Sequence, residues 1–363
     1  MTPPPAAHRD GRANGRPAAR PAARARLVTV ADVEAYDGPP LYLFLGIDTA
    51  GSRVHDAFAT WAPAFGIPGA TLRGIDLPTT TSRPTWRRLV AAMRDNPAVH
   101  GGVVTSHKLR LHRACADLFD RAEAFVELTH EVNGLDTRSG VSVVARDVEA
   151  LDLTLRSTGV ARPADSTHPT TGTHRTAHGT GPAGRPLVCL GAGGAATALL
   201  LATRLDVART LESGGPVPVT DASAIAPLVV VDREPGALRA LAAVAERAHL
   251  GAAPVLTEAD SPERCARVVR DAPRAALVIN ATGLGKSGPG SPLPDAAAFR
   301  AGQAAWDLNY RGPLTFLAQA RAAGIPTADG WDYFLAGWSC ALGAITGTDP
   351  RTALTRVSAV THR

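Results

Sequence analysis

Of the 38 basic residues in this 363-residue chain, Lys108 and Lys286 are the two lysines and the rest are arginines. Lys108 follows the run "GGVVTSH" (101–107), where an apolar stretch gives way to a polar one. A guanidinium stays protonated throughout the biological range, whereas an ammonium can give up its proton when its surroundings bring its pKa down from about 10.4. A lysine kept where the composition otherwise writes arginine is therefore a candidate proton donor and acceptor. The plainer reading is a surface lysine opening a helix. His107 reads as a packing or tuning residue. Lys286, in the Gly-rich "GLGKSGPG" (283–290), reads as a solvated cation or the neighbour of a bound phosphate.

A second constellation concerns phosphate. "LVCLGAGGAATALLL" (187–201) is an apolar strand-like run, then Gly191-x-Gly193-x-x-Ala196, then a helix-like run. In that context Gly191 permits a tight turn and Gly193 lets backbone approach a pyrophosphate. Gly194 and Ala196 keep the helix close to the strand, with its positive end facing the phosphates, and Ala192 and Ala195 complete the expected cofactor loop. The next strand, in "APLVVVDRE" (226–234), runs into Asp232, placed to accept hydrogen bonds from adenosine ribose hydroxyls. Its distance from Gly191 is roughly twice the ~20 residues expected, matching an insertion at 212–227. Arg233 could pair with a 2′-phosphate, so NAD is expected and NADP kept as the alternative. Asn280, Ala281, Thr282 and Gly283, ending "ALVINATG" (276–283), are small or polar enough to let a nicotinamide ribose lie against backbone.

The elements that would position these residues form two blocks. In 27–157, strand-like "LYLFLGI" (41–47), "ATLRGIDL" (70–77) and "HGGVVTS" (100–106) alternate with helix-like 54–66 and 84–96, the latter with Pro in its first turn. A helix starts near Lys108, and 130–147 reads as a hairpin turning at Arg138-Ser139-Gly140. The block 187–327 is again strand–helix, and the apolar "WDYFLAGWSCALGAITG" (331–347) should be buried between elements. The expectation is an α/β protein of two domains, an N-terminal α/β domain and a C-terminal Rossmann dinucleotide-binding domain. A basic tail (1–26) and a Thr/His/Gly/Pro-rich linker (158–186) are expected to be unstructured. His168, His174 and His178 in that linker lack placed carboxylate partners, so no metal is expected.

Composition narrows the function classes. The chain is 45% hydrophobic and 20% charged, an ordinary globular balance, and holds no apolar run long enough to span a bilayer. The net charge of +5 is matched by the tail, which argues against a nucleic-acid-binding face. The tail lacks the apolar core of a secretory signal. Cys115, Cys189, Cys265 and Cys340 show no C-x-x-C spacing, arguing against a zinc site or disulfide scaffold and for a reducing cytoplasm.

Taken in order, "VVTSHK" (103–108), "EVNGL" (131–135), "VVARD" (143–147), "GAGGAA" (191–196), "INAT" (279–282), "DLNY" (307–310) and "ADGWDYFLAG" (328–337) resemble the shikimate dehydrogenase family, with its quinate and aminoshikimate relatives. The likeness runs from about residue 41 to 347. It implies a substrate domain first, completed by C-terminal helices (328–360), then a nucleotide domain. It implies Lys108 and Asp147 as the catalytic pair. Thr105, Asn133 and Tyr310 would contact substrate, and Thr49 and Ser52 would hold its carboxylate in place of the family's S-x-S loop. It further implies a small-molecule partner, a cyclic hydroxy-acid, and a monomer or homodimer. Three segments depart from the family's pattern: Arg146 stands where the family has a small hydroxyl residue, His107 precedes the lysine, and Gly337 replaces a substrate-contacting Gln. The expected chemistry is reversible hydride transfer, with Lys108 moving a proton and the cleft balancing desolvation against the Asp147 charge. Asp147 as a helix N-cap, a silent nucleotide-binding or sensor protein, and a methylenetetrahydrofolate dehydrogenase-like enzyme are the competing readings.

Overall fold

A computed structural model describes residues 26–157, 185–221, 225–286 and 289–361. Most of the expected tail and linker, with His168, His174 and His178, lies outside the described residues.

The first sheet is built on β1 (Leu41–Gly46), six residues buried throughout, as a strand covered on both faces must be. It pairs in parallel with β2 (Thr71–Asp76) and β3 (Val99–Val104). The helices Val54–Trp61 and Arg83–Asp95 make the crossovers. The first runs into a 3₁₀ turn closed by Gly66 at φ 70°. The second starts where the Ser82 hydroxyl accepts from the Thr85 N–H, with Pro84 in its first turn. β4 (Arg121–Ala122) pairs in parallel with β6, while β5 (Gly134–Asp136) and β6 (Ser142–Val144) form the expected hairpin, giving the order β2-β1-β3-β5-β6-β4.

The second sheet is parallel throughout. β7 (Leu187–Leu190), β8 (Leu228–Asp232), β9 (Val255–Glu258), β10 (Leu277–Asn280), β11 (Ala304–Asp307) and β12 (Thr327–Ala328) lie in the order β9-β8-β7-β10-β11-β12. That is the doubly wound arrangement, and its crevice opens beyond the carboxyl ends of β7 and β10, where the strand order reverses.

The chain then returns to the first sheet. The helix Trp331–Thr346 packs on β3, β5 and the helix Asp147–Ser157, and the helix Pro350–Val360 packs on it. Tyr42, Phe44 and Val103 of the first sheet share a core with Trp331, Leu335, Trp338, Leu342 and Ile345. Among the described residues no helix is long and apolar enough to cross a membrane.

Candidate active site

Lys108 opens the helix Lys108–Cys115 just beyond β3, and Asp147 opens the helix Asp147–Ser157 just beyond β6. β5 separates β3 and β6 in the sheet, so the two helix starts face each other across one strand. The Lys108 ammonium bonds Asp147 Oδ2. Asn133 orients the acid: its Nδ2 donates to Asp147 Oδ1 at 3.0 Å and its Oδ1 accepts from the Arg146 N–H at 2.9 Å. The Asp147 carboxylate therefore faces Lys108 and Asn133 instead of capping its own helix. Arg146 is engaged elsewhere, by Glu123 and Glu149 at 2.8 Å each, and so braces the turn before Asp147. Burial alone would lower the Lys108 pKa, but the charges of Asp147 and Glu131 outweigh it and hold the ammonium above the ordinary lysine value. The expected balance thus falls on the charged side.

The phosphate loop sits across the interdomain gap. Gly191 takes φ 105°, and a Cβ there would lie 2.9 Å from the Ala281 carbonyl carbon, so β7 and β10 approach this closely only with glycine. Gly193 is the reverse case: nothing lies within 4 Å of where its Cβ would be, leaving an open cradle beside the loop. Asp232 accepts from the Ala192 N–H at 2.6 Å and the Glu234 N–H at 2.9 Å, and Arg233 beside it pairs with Glu234 at 3.4 Å. Asn280 Oδ1 accepts from Thr282 N–H and Oγ1, fixing the turn through Gly283. Gly191, Gly193, Asp232, Arg233, Ala281 and Thr282 line a cleft of about 450 Å³. Gly194 and Ala195 face a second cavity, of about 430 Å³, together with Thr105, Lys108 and Glu131. Ala196 is buried behind them.

On the substrate side the structure separates Thr49 from Ser52. Thr49 is buried and gives its hydroxyl proton to Asp76 Oδ1 at 2.7 Å, with its N–H on the same oxygen at 2.7 Å, so it offers no donor to a carboxylate. The shortened loop moves that hydroxyl onto the end of β2, which its sequence did not reveal. Ser52 instead bonds the Tyr310 phenol. Tyr310 stacks near Phe334 with centroids 4.4 Å apart, and Arg53 covers Trp331 at 5.2 Å. The aromatics of "DGWDYFLAG" thus cluster beside Tyr310.

Two groups escaped the sequence reading. Glu131, in the quoted "EVNGL", stands two residues from Asn133 and lines the Lys108 cavity. Tyr333 is partly buried, its phenol sensing the charges of Asp147 and Glu131. Lys286 is exposed, as the expected solvated cation would be. Desolvation and the like charges of Arg311 and Lys108 hold its ammonium below the usual lysine range.

No protein-family model matches the chain. A shikimate dehydrogenase (NADP(+)) of Citrifermentans bemidjiense is 32% identical over 174 residues, 47% of this chain and 51% of that protein. The chain thus spans about half the length of the curated relative it matches. Among solved structures, a Thermus thermophilus shikimate 5-dehydrogenase in complex with NADP(H) and shikimate superposes with TM-score 0.57 at 22% identity, covering 88% of this chain and 99% of that one. A Corynebacterium glutamicum quinate dehydrogenase in complex with NAD gives 0.60 at 20%, covering 89% and 100%. A 5-ketofructose reductase of a Gluconobacter species gives 0.56 at 16%, covering 90% and 100%. The chain resembles the shikimate dehydrogenases in sequence over that half and has their two-domain fold, with a Rossmann-type second domain.

Proposed function

We propose that this protein is a nicotinamide-dependent oxidoreductase moving hydride reversibly between its cofactor and a secondary hydroxyl or ketone of a shikimate- or quinate-like cyclic hydroxy-acid. The observation that carries the reading is the cavity of about 430 Å³ that Lys108 shares with the phosphate-loop residues Gly194 and Ala195. A proton-transfer group and the start of a nucleotide site face the same space.

The open cradle at Gly193 and the free N–H groups beginning the helix Gly194–Arg204 suit a dinucleotide pyrophosphate. When bound, the nicotinamide ring accepts or supplies the hydride. Lys108 handles the proton. As an ammonium held by Asp147, it donates a hydrogen bond to the substrate oxygen and gives that oxygen a proton as the ketone is reduced. In the other direction the neutral amine takes the hydroxyl proton. Asn133 keeps Asp147 turned toward Lys108, and Ser52 with Tyr310 would hold the carboxylate. Asp232 and Glu234 bracket Arg233 at the adenosine end, which favours NAD over NADP.

The test is a spectrophotometric screen for reduced nicotinamide, offering NAD and NADP with shikimate, quinate, aminoshikimate and related cyclic hydroxy-acids. Turnover with one pair that disappears in Lys108→Ala supports the assignment. Turnover that survives Lys108→Ala overturns it.

A further inference from the structure

Glu131 is 9% exposed, yet its carboxylate accepts no hydrogen bond among the described residues. Its N–H is fixed on Thr129 Oγ1 at 3.1 Å, and His130 before it takes the left-handed φ of 55°. That turn sends the Glu131 side chain across to the other domain. A Cβ on Gly194 would lie 2.6 Å from Oε1 and 2.8 Å from Oε2, so the carboxylate rests against the residue that begins the 11-residue helix Gly194–Arg204. The free N–H groups and the dipole of that helix start favour an anion, and a dinucleotide pyrophosphate uses the same groups. A carboxylate and a pyrophosphate held at one helix start repel each other, which favours the neutral acid when both are present.

We propose that Glu131 is a component of the cofactor site, admitting a dinucleotide pyrophosphate as a neutral carboxylic acid and resisting it as a carboxylate, so that dinucleotide binding draws a fraction of a proton from solvent. The proposal rests on the nicotinamide reading above. Burial pushes the Glu131 carboxyl up; Lys108 opposes this and Asp147 adds to it, leaving the group above the ordinary glutamate value. The other facing groups hold their charge around neutrality. Lys108 is paired with Asp147, and Arg110 and Arg113 on the cavity wall are permanent cations. Tyr333 is pushed well above the usual phenol value by burial, with the neighbouring acids adding to it. Burial also pulls the His107 pKa down, and its ring contacts the Leu77 carbonyl at 2.5 Å.

Titration calorimetry with NAD on the full chain tests this, NAD being the probe because its phosphates keep constant charge over the range. From about pH 5.5 to 8.5 the wild-type Kd should rise about tenfold, the effect of displacing one pKa by one unit. Runs in buffers of different ionisation enthalpy should report proton uptake. Glu131→Gln should bind at the tighter, low-pH Kd throughout, without proton uptake, and Glu131→Asp should keep a weakened pH dependence. A Glu131→Gln protein that follows wild type at every pH, or binds NAD worse than wild type at every pH, overturns the proposal and leaves the nicotinamide reading intact. If neither protein binds NAD or NADP, the nicotinamide reading fails and the proposal fails with it.

Discussion

At the residue scale, the charge state of Lys108 sets a pH dependence. Because Asp147 and Glu131 hold its pKa above the ordinary lysine value, alcohol oxidation, which needs the neutral amine, should accelerate with pH into the alkaline range. Ketone reduction, which needs the ammonium, should hold and then fall there. Asp147→Asn removes the largest opposing charge and lets burial dominate, so the oxidation profile should move to lower pH while kcat falls; an unmoved profile would refute the pairing. Lys108→Ala should cost roughly 10²–10⁴-fold in kcat with dinucleotide binding retained, measured by single-turnover kinetics beside calorimetry. Asp232→Ala removes the acceptor of the Ala192 N–H and should weaken NAD more than NADP; an unchanged affinity ratio would sink the cofactor preference. Lys108 and the glycines were legible because a lysine in an arginine-rich chain and a loop between strand and helix carry their meaning locally. Glu131 and the diverted Thr49 were not, since their meaning lies in contacts with Gly194 and Asp76 that only the fold creates.

At the scale of elements, β11 ends in a buried acid that bears on the site. Asp307 Oδ1 accepts from the Asn309 N–H at 2.9 Å and so shapes the turn that presents Tyr310, while Oδ2 lies buried without a partner. Burial pushes its carboxyl up to about 6. A folded-state pKa above the unfolded value means that folding retains the proton. Stability is then full below about pH 4 and declines as pH rises through about 6, by on the order of 3 kcal/mol at pH 7. Asp307→Asn should flatten this decline, read as a smaller drop in urea midpoint between pH 4 and 7; an equally steep drop would place the effect elsewhere. The strands and crossover helices around it were readable from apolar runs and caps. The short helix Ala124–Thr129 and edge strand β4 were not, because six- and two-residue elements are fixed by their neighbours more than by any period of their own.

At the scale of the whole molecule, the order of the chain and the order of the cores differ. The first sheet is complete in sequence by Val144, yet Tyr42, Phe44 and Val103 are covered by side chains that follow Gly330. A fragment ending at Ser157 would keep Val54, Phe58 and Trp61 on that face but lose its Trp331, Leu335 and Trp338 side, so it should fail to give a cooperative transition, whereas the full chain should unfold as one unit. Cross-domain contacts reinforce the coupling: Arg247 donates to the Leu128 carbonyl at 2.8 Å and 3.0 Å, Arg311 to the Gly51 carbonyl at 3.2 Å, and the helices Asp147–Ser157 and Gly194–Arg204 pack together. Ligand linkage turns this into a measurement. Dinucleotide at about 100-fold over its Kd adds about 2.7 kcal/mol to whatever unfolds with its site. In scanning calorimetry a single peak should move up as a whole. Trp338→Ala, which empties a core position on the other domain at a cost of about 3–5 kcal/mol, should move that same peak down. Two peaks, with NAD shifting one and Trp338→Ala the other, would show that the two domains fold independently despite the returning helix.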